Sequence, residues 1–329
     1  MAVFRMFAGG LAPLTLLGTL LAFFFPPLFL WLKLPAALPE ALGGLSLYGS
    51  LFQLMFALTM FALGLVLEYD DLGDTLRRPR RIFQGVATQY LLMPLLAFAL
   101  ISLTDLPPAV ALGFLIVGSA PGAMASNVIV YLAGGALAFS IAMTTVATFL
   151  SPLFTPVLVR WLGGGLLEID TTVMMVNILK MVVAPLALGM LLQPRLGRWR
   201  EHVRELAPGV AALAIILICS YAVAANQTRI TNMGATLVVL VVLLNLLGYL
   251  MGYGAAWLYR FDLRHRITLA IEIGMQNAGM GVALALAQFQ DTPEAALPGA
   301  LFAVWCILTA AGAASWLRRR ERLVATANP

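Results

Sequence analysis

Ile271-Glu272-Ile273-Gly274-Met275-Gln276-Asn277-Ala278-Gly279-Met280-Gly281 lies in an apolar run that carries no other charge between Arg266 and Asp291. Glu272 is the one acidic residue of the chain set deep inside such a run; the other fourteen fall in loops, at the ends of apolar runs or in the tails. An ionised carboxylate at membrane depth is costly and is retained where it is paired or functional. No Lys, Arg or His stands near it in sequence. Two amide side chains and the glycines at 274, 279 and 281 follow it. Oxygen-rich side chains on a backbone free to unwind suit a cation held within a broken helix. The bland alternative is a protonated glutamic acid satisfied by a neighbouring helix.

The surrounding chain is that of a polytopic membrane protein. Of 329 residues, 61% are hydrophobic and 11% charged, and the mean hydropathy is +0.94. Apolar stretches of about twenty residues read as transmembrane helices. Ten such spans are expected, roughly 10–32, 44–67, 81–104, 109–133, 136–160, 169–193, 207–226, 233–259, 265–290 and 296–317. The first runs to about Trp31, too long for a signal-peptide core, and is read as a span. With the N-terminus on one side of the bilayer, sixteen Arg residues fall on that side. Only Lys33, Arg160 and Arg229 fall on the other, and Lys180 lies within a span. The imbalance predicts an inner, cytoplasmic position for both termini. It also explains the formal charge of +5 without nucleic acid as a partner. The two cysteines, Cys219 and Cys306, lie inside apolar runs and form no disulfide framework. His202 and His265 sit in Arg-rich loops, so no His/Cys metal constellation is present.

Ten spans divide into two sets of five, and because five is odd a repeated unit is inverted in the membrane. Span four then corresponds to span nine. It holds Gly118-Ser119-Ala120-Pro121-Gly122-Ala123-Met124-Ala125-Ser126-Asn127, where Pro and Gly should break the helix. Each half-helix is only about 15 Å long. Two interrupted helices in corresponding positions point to a binding site at the midplane. Ser140, Thr144 and Thr148 lie four apart on one face of span five. Gln89 precedes Pro94 in span three, Asn245 lies in span eight, and Asn177 shares a face of span six with Lys180. Lys180 is too deep for easy snorkelling; it is expected either to face an aqueous cavity or to pair with helix carbonyls.

Pro121-Gly122-Ala123-Met124-Ala125-Ser126-Asn127 and Glu272-Ile273-Gly274-Met275-Gln276-Asn277 resemble motifs of the bile acid:sodium symporter family. So do Gly64-Leu65-Val66-Leu67 before Asp71-Leu72, Gln89-Tyr90-Leu91-Leu92-Met93-Pro94, Ser151-Pro152-Leu153-Phe154-Thr155-Pro156 and Leu297-Pro298-Gly299-Ala300-Leu301-Phe302. The resemblance implies an all-α fold of ten transmembrane helices in two inverted five-helix repeats, with broken helices four and nine crossing. It implies a panel domain (10–67 and 169–226; spans one, two, six and seven) and a core domain (81–160 and 233–317; spans three to five and eight to ten).

The resemblance also implies sodium-coupled transport of an organic anion, with two sodium ions behind the crossing. One site would use Ser126, Asn127, Ser140, Thr144 and Glu272. The other would use Gln89, Glu272, Gln276 and the carbonyls of Ile273 and Met275. The anion would lie near the backbone around Ala125 and Ala278 and the side chain of Asn277, within reach of Met124, Ile307 and Lys180. Two positions depart from bacterial members. Ala123-Met124 stands where Gly-Thr is frequent, and Val304-Trp305-Cys306-Ile307 where Val-Trp-His-Asn is frequent. Both changes make the expected pocket more apolar, leaving a bile-acid-like amphipath, pantoate or another monocarboxylate as cargo.

Competing readings are few. A membrane-embedded protease needs two buried Asp, or a Ser with a His in a span, and the sequence has neither. A channel or transport-dead sensor of the same fold, and a proton-coupled carrier, are the alternatives. Nothing in the sequence calls for an obligate protein partner.

Overall fold

The computed structural model describes residues 14–34, 50–67, 79–309 and 312. Among these the chain is helical, and its one β pairing is an isolated bridge. Four helical runs are long and apolar enough to cross a membrane: Pro79–Ser102, Leu137–Gly163, Thr171–Ala224 and Gln227–Leu258. The expected starts of spans one and two, the basic residues before Pro79 and the end of span ten lie outside the described residues.

In chain order the elements are α1 (Leu14–Phe24), α2 (Leu51–Val66), α3 (Pro79–Ser102), α4 (Pro108–Gly118), α5 (Ser126–Leu132), α6 (Leu137–Gly163), α7 (Thr171–Ile178), α8 (Ala184–Leu192), α9 (Arg200–Ala224), α10 (Gln227–Leu258), α11 (Leu263–Gly274) and α12 (Ala278–Gln288). Last comes α13 (Pro293–Thr309). Two differences from the expected spans have local causes. Helix α9 starts at Arg200, before the expected 207, because the polar turns of Arg200–Glu205 extend the apolar helix without interruption. Span six is not one regular helix. Leu179–Val183 forms a π turn between α7 and α8, just ahead of Pro185, which has no N–H to donate. Single π turns recur at functional positions, and this one carries Lys180.

Where the two breaks occur, the sequence removes helical hydrogen bonds. Helix α4 ends at Gly118 and α5 begins at Ser126. The Ser119 carbonyl, orphaned at the end of α4, accepts the Thr155 hydroxyl at 2.7 Å. Helix α11 ends at Gly274 and α12 begins at Ala278. The Gly274 carbonyl accepts Asn245 Nδ2 at 2.8 Å, and Asn245 Oδ1 in turn accepts the Thr309 hydroxyl at 2.8 Å. Asn277 caps α12, its Oδ1 accepting the Met280 N–H at 3.0 Å. Each break is thus satisfied from a different helix, as apolar surroundings demand.

Small residues let the helices meet closely. Gly248, Gly252 and Ala256 form a four-residue repeat on the buried face of α10, which packs against α11. A Cβ at Gly252 would stand 2.8 Å from the Leu269 carbonyl. Such small-residue faces are a usual contact between membrane helices.

The end of α10 is unusual. The Arg260 N–H donates to Trp257 O and the Phe261 N–H to Ala256 O, both at 3.0 Å. This pair of bonds makes a Schellman motif, whose left-handed position normally holds glycine. Here it holds Arg260, with φ of +58°, a conformation costing a side-chain-bearing residue roughly 1–2 kcal/mol.

Candidate functional site

The two helix breaks lie against each other. The Ala123 N–H donates to Met275 O at 2.9 Å and the Asn277 N–H to Pro121 O at 2.8 Å, giving the antiparallel bridge between Gly122 and Gln276. Around this bridge the side chains form two linked clusters.

The first centres on Glu272, which is fully buried. Ser126 Oγ donates to its Oε1 at 2.5 Å and Thr144 Oγ1 to its Oε2 at 2.6 Å. Ser140 Oγ also lies against Oε1. Ser126 Oγ is 2.6 Å from the Ala123 carbonyl and Ser140 Oγ 2.7 Å from Asn127 Oδ1. Five close oxygen–oxygen contacts therefore share the three hydroxyl hydrogens of Ser126, Ser140 and Thr144. The cluster has more acceptors than hydrogens. A hydroxyl offers one hydrogen and two lone pairs, so rotation cannot remove the deficit. A cation can, because every one of these oxygens can turn a lone pair toward it. Among the described residues no Lys, Arg or His forms an ion pair with Glu272.

The second cluster lies on the α3 side. Gln89 Nε2 donates to Ala120 O at 3.0 Å and to Gln276 Oε1 at 2.7 Å. Gln276 Nε2 donates to Ile273 O at 2.7 Å. Both amide side chains are buried, and Gln89 Oε1 has no hydrogen-bond partner. A buried acceptor without a partner is costly and is the lone pair a hard cation would take.

The crossing brings together Gln89, Ser126, Asn127, Ser140, Thr144, Glu272, Ile273, Met275, Gln276 and Asn277. Met124 and Ala125 are half-buried in the break, and Ala278 is buried at the start of α12. Ile307 is buried on α13. Lys180 is exposed on its π turn, which packs between α2 and α6. Thr148 shares the sequence spacing of Ser140 and Thr144 but donates back to Thr144 O at 2.7 Å. The sequence reading assigned no role to Gly122, yet a Cβ there would stand 2.7 Å from Glu272 Oε2. Nor did it assign Asn245 and Thr309, which hold the end of α11. A glycine beside a proline carries no signal for a carboxylate contact, and Asn245 was visible only as a lone amide in an apolar run.

A family model matches residues 53–233, and its description is the sodium bile acid symporter family. This chain belongs to that family. The matched segment holds Gln89, Ser126, Asn127, Ser140, Thr144 and Lys180, and stops short of Glu272. An uncharacterized sodium-dependent transporter of Bacillus subtilis, YocS, is 33% identical over 92% of this chain and 88% of its own length. A probable chloroplastic sodium/metabolite cotransporter of Arabidopsis thaliana, BASS1, is 34% identical over 75% of this chain, and the match spans 61% of the plant protein. BASS6 of the same plant, of like description, is 33% identical over 88% of this chain. The family is one of membrane transporters coupled to sodium, not of enzymes.

Proposed function

We propose that the chain is a sodium-coupled symporter that carries a small organic anion by alternating access. The hydrogen-deficient oxygen cluster around buried Glu272 is the observation that carries this reading. Sodium at this cluster is cargo. It would be held by Glu272, Ser126, Ser140, Thr144 and Asn127. A second ion would take the free Oε1 of Gln89, with Gln276, Glu272 and the carbonyls of Ile273 and Met275. One carboxylate against two cations leaves net positive charge at the crossing. The N-termini of α5 and α12 add to it, which favours an anion beside Ala125, Asn277 and Ala278.

In this reading the ten spans form two inverted repeats, spans three to five and eight to ten being a core and the remaining four a panel. Both termini face the cytoplasm. Ala109–Gly118 of α4 and Ala278–Ala287 of α12 are buried throughout, and α12 packs against α2, α7 and α9. The other two half-helices, α5 and α11, keep exposed residues near the basic loops. This supports a state closed on the outer side and accessible from the inner one.

Two sites predict cooperative sodium activation, with a Hill coefficient approaching two. Gln89→Leu removes the free oxygen and the two hydrogen bonds that Nε2 donates, to Ala120 O and Gln276 Oε1, and so alters the second cluster only. In proteoliposomes it should lower the coefficient toward one while sodium dependence persists. An unchanged coefficient would remove Gln89 from the ion sites. Protonation of Glu272 would also relieve the hydrogen deficit, so the same assay with a pH gradient and no sodium decides between proton and sodium coupling.

Met124 and Ile307 predict cargo with a carboxylate and an apolar body. An apolar site only weakly rejects an added hydroxyl, whereas a site built to bond one loses heavily without it. Met124→Thr with Ile307→Asn should shift competition toward hydroxylated acids such as pantoate, by roughly tenfold for one added hydrogen bond. A wild type that already prefers the hydroxylated acids, unaltered in the double variant, would free both positions from this role.

A further inference from the structure

The left-handed residue that closes α10 opens onto a groove lined by Trp257, Leu258, Arg260 and Arg266. Glycine is the residue this backbone position favours, so an arginine there points to a use for its side chain. Arg260 is the one non-glycine residue with positive φ among the described residues. Arg266 is fixed beside it, its Nε donating to the Phe261 carbonyl at 2.6 Å. Among the described residues no carboxylate pairs with either guanidinium. Asp262, the acidic residue nearest in sequence, is engaged by His265 at 2.7 Å and by Arg81 at 4.0 Å.

The groove continues an exposed apolar surface of α10. Val239, Leu243, Leu246, Leu250, Tyr253 and Trp257 are all exposed. Their alternating spacing of four and three places them on one stripe of α10. The stripe ends at an exposed tryptophan, a residue suited to the headgroup level, and the two arginines lie immediately beyond it. An apolar track running into a pair of guanidiniums has the polarity of a phospholipid: acyl chain along the helix, phosphate at the fork-shaped donors.

We propose that this groove is a binding site for an anionic phospholipid, its phosphate held between Arg260 and Arg266 and its acyl chain along the α10 stripe. Free phosphate would use the arginines alone and would not need the stripe.

The test is thermal unfolding of the full chain in neutral detergent. Phosphatidylglycerol, phosphatidylcholine and inorganic phosphate are titrated separately. Phosphatidylglycerol should raise the melting temperature of the wild type, and the other two should not. Arg260→Gln with Arg266→Gln should weaken the phosphatidylglycerol response by roughly tenfold or more in concentration, from the loss of two basic groups at the bilayer surface. Arg198→Gln, which removes one exposed positive charge outside the groove, should leave it unchanged. Arg260→Gly separates ligand from scaffold. It should keep or raise the melting temperature in phosphatidylcholine, by relieving the backbone, and still weaken the response to phosphatidylglycerol, by less than the double variant does. Four results would each overturn the proposal: a full response in the double variant, an equal loss with Arg198→Gln, an equal rise with inorganic phosphate, or an Arg260→Gly protein that is destabilised in phosphatidylcholine.

Discussion

Glu272→Gln should abolish sodium-driven uptake and erase sodium-dependent thermal stabilisation while the protein still folds. The amide keeps the shape of the carboxyl group and brings two hydrogens into a cluster short of them. The variant without sodium should therefore melt at or above the temperature of the sodium-free wild type. What it loses is the charge. Removing one partner of a buried ionic contact costs about 3–5 kcal/mol, which at about 1.4 kcal/mol per decade is roughly two to three and a half orders of magnitude in sodium affinity. Thermal unfolding across a sodium series, with potassium holding ionic strength constant, measures both effects. A Glu272→Gln protein stabilised by sodium as strongly as the wild type would sink the assignment of Glu272 to the ions.

A second large effect is expected from one methyl group. Gly122→Ala places a Cβ 2.7 Å from Glu272 Oε2 and 3.7 Å from Thr144 Oγ1. No carbon sits so near an oxygen without displacing it. The carboxylate must swing away from Thr144, and the cluster loses the geometry that would hold an ion. Overpacking of this kind costs about 1–3 kcal/mol, so sodium affinity should fall roughly tenfold or more. Because Gly122 has no positive φ, the backbone tolerates alanine and the loss should appear in sodium titration more than in overall stability. Wild-type sodium dependence in this variant would mean that the carboxylate has room the structure does not suggest.

Much of this site is readable from residue types alone. A lone carboxylate in an uncharged apolar run has to be explained by something, which singles out Glu272. Ser140 and Thr144 follow from the helical period, and the break in span four from Pro121 beside Gly122. The limits are equally physical. Thr148 has the same spacing as its two neighbours but spends its hydrogen on its own helix, and a choice between own-helix and cross-helix acceptors depends on distances that spacing does not encode. The π turn around Lys180 has no residue signature beyond the proline that follows it. The left-handed turn at Arg260 runs against the propensity of its own residue. The bonds joining the two breaks are main chain to main chain, so no side chain advertises them.

That last property has an evolutionary consequence. Pro121 O, Ala123 N, Met275 O and Asn277 N hold the crossing through atoms that every residue, proline's missing N–H apart, possesses. In the proposed reading, substitution at Met124 alters what the cargo meets while the joint keeps its register. Cargo preference is then free to drift among descendants of one ancestral carrier without retuning the ion-binding frame. Sodium/metabolite carriers with diverse cargoes and a common joint are what such a division would leave behind.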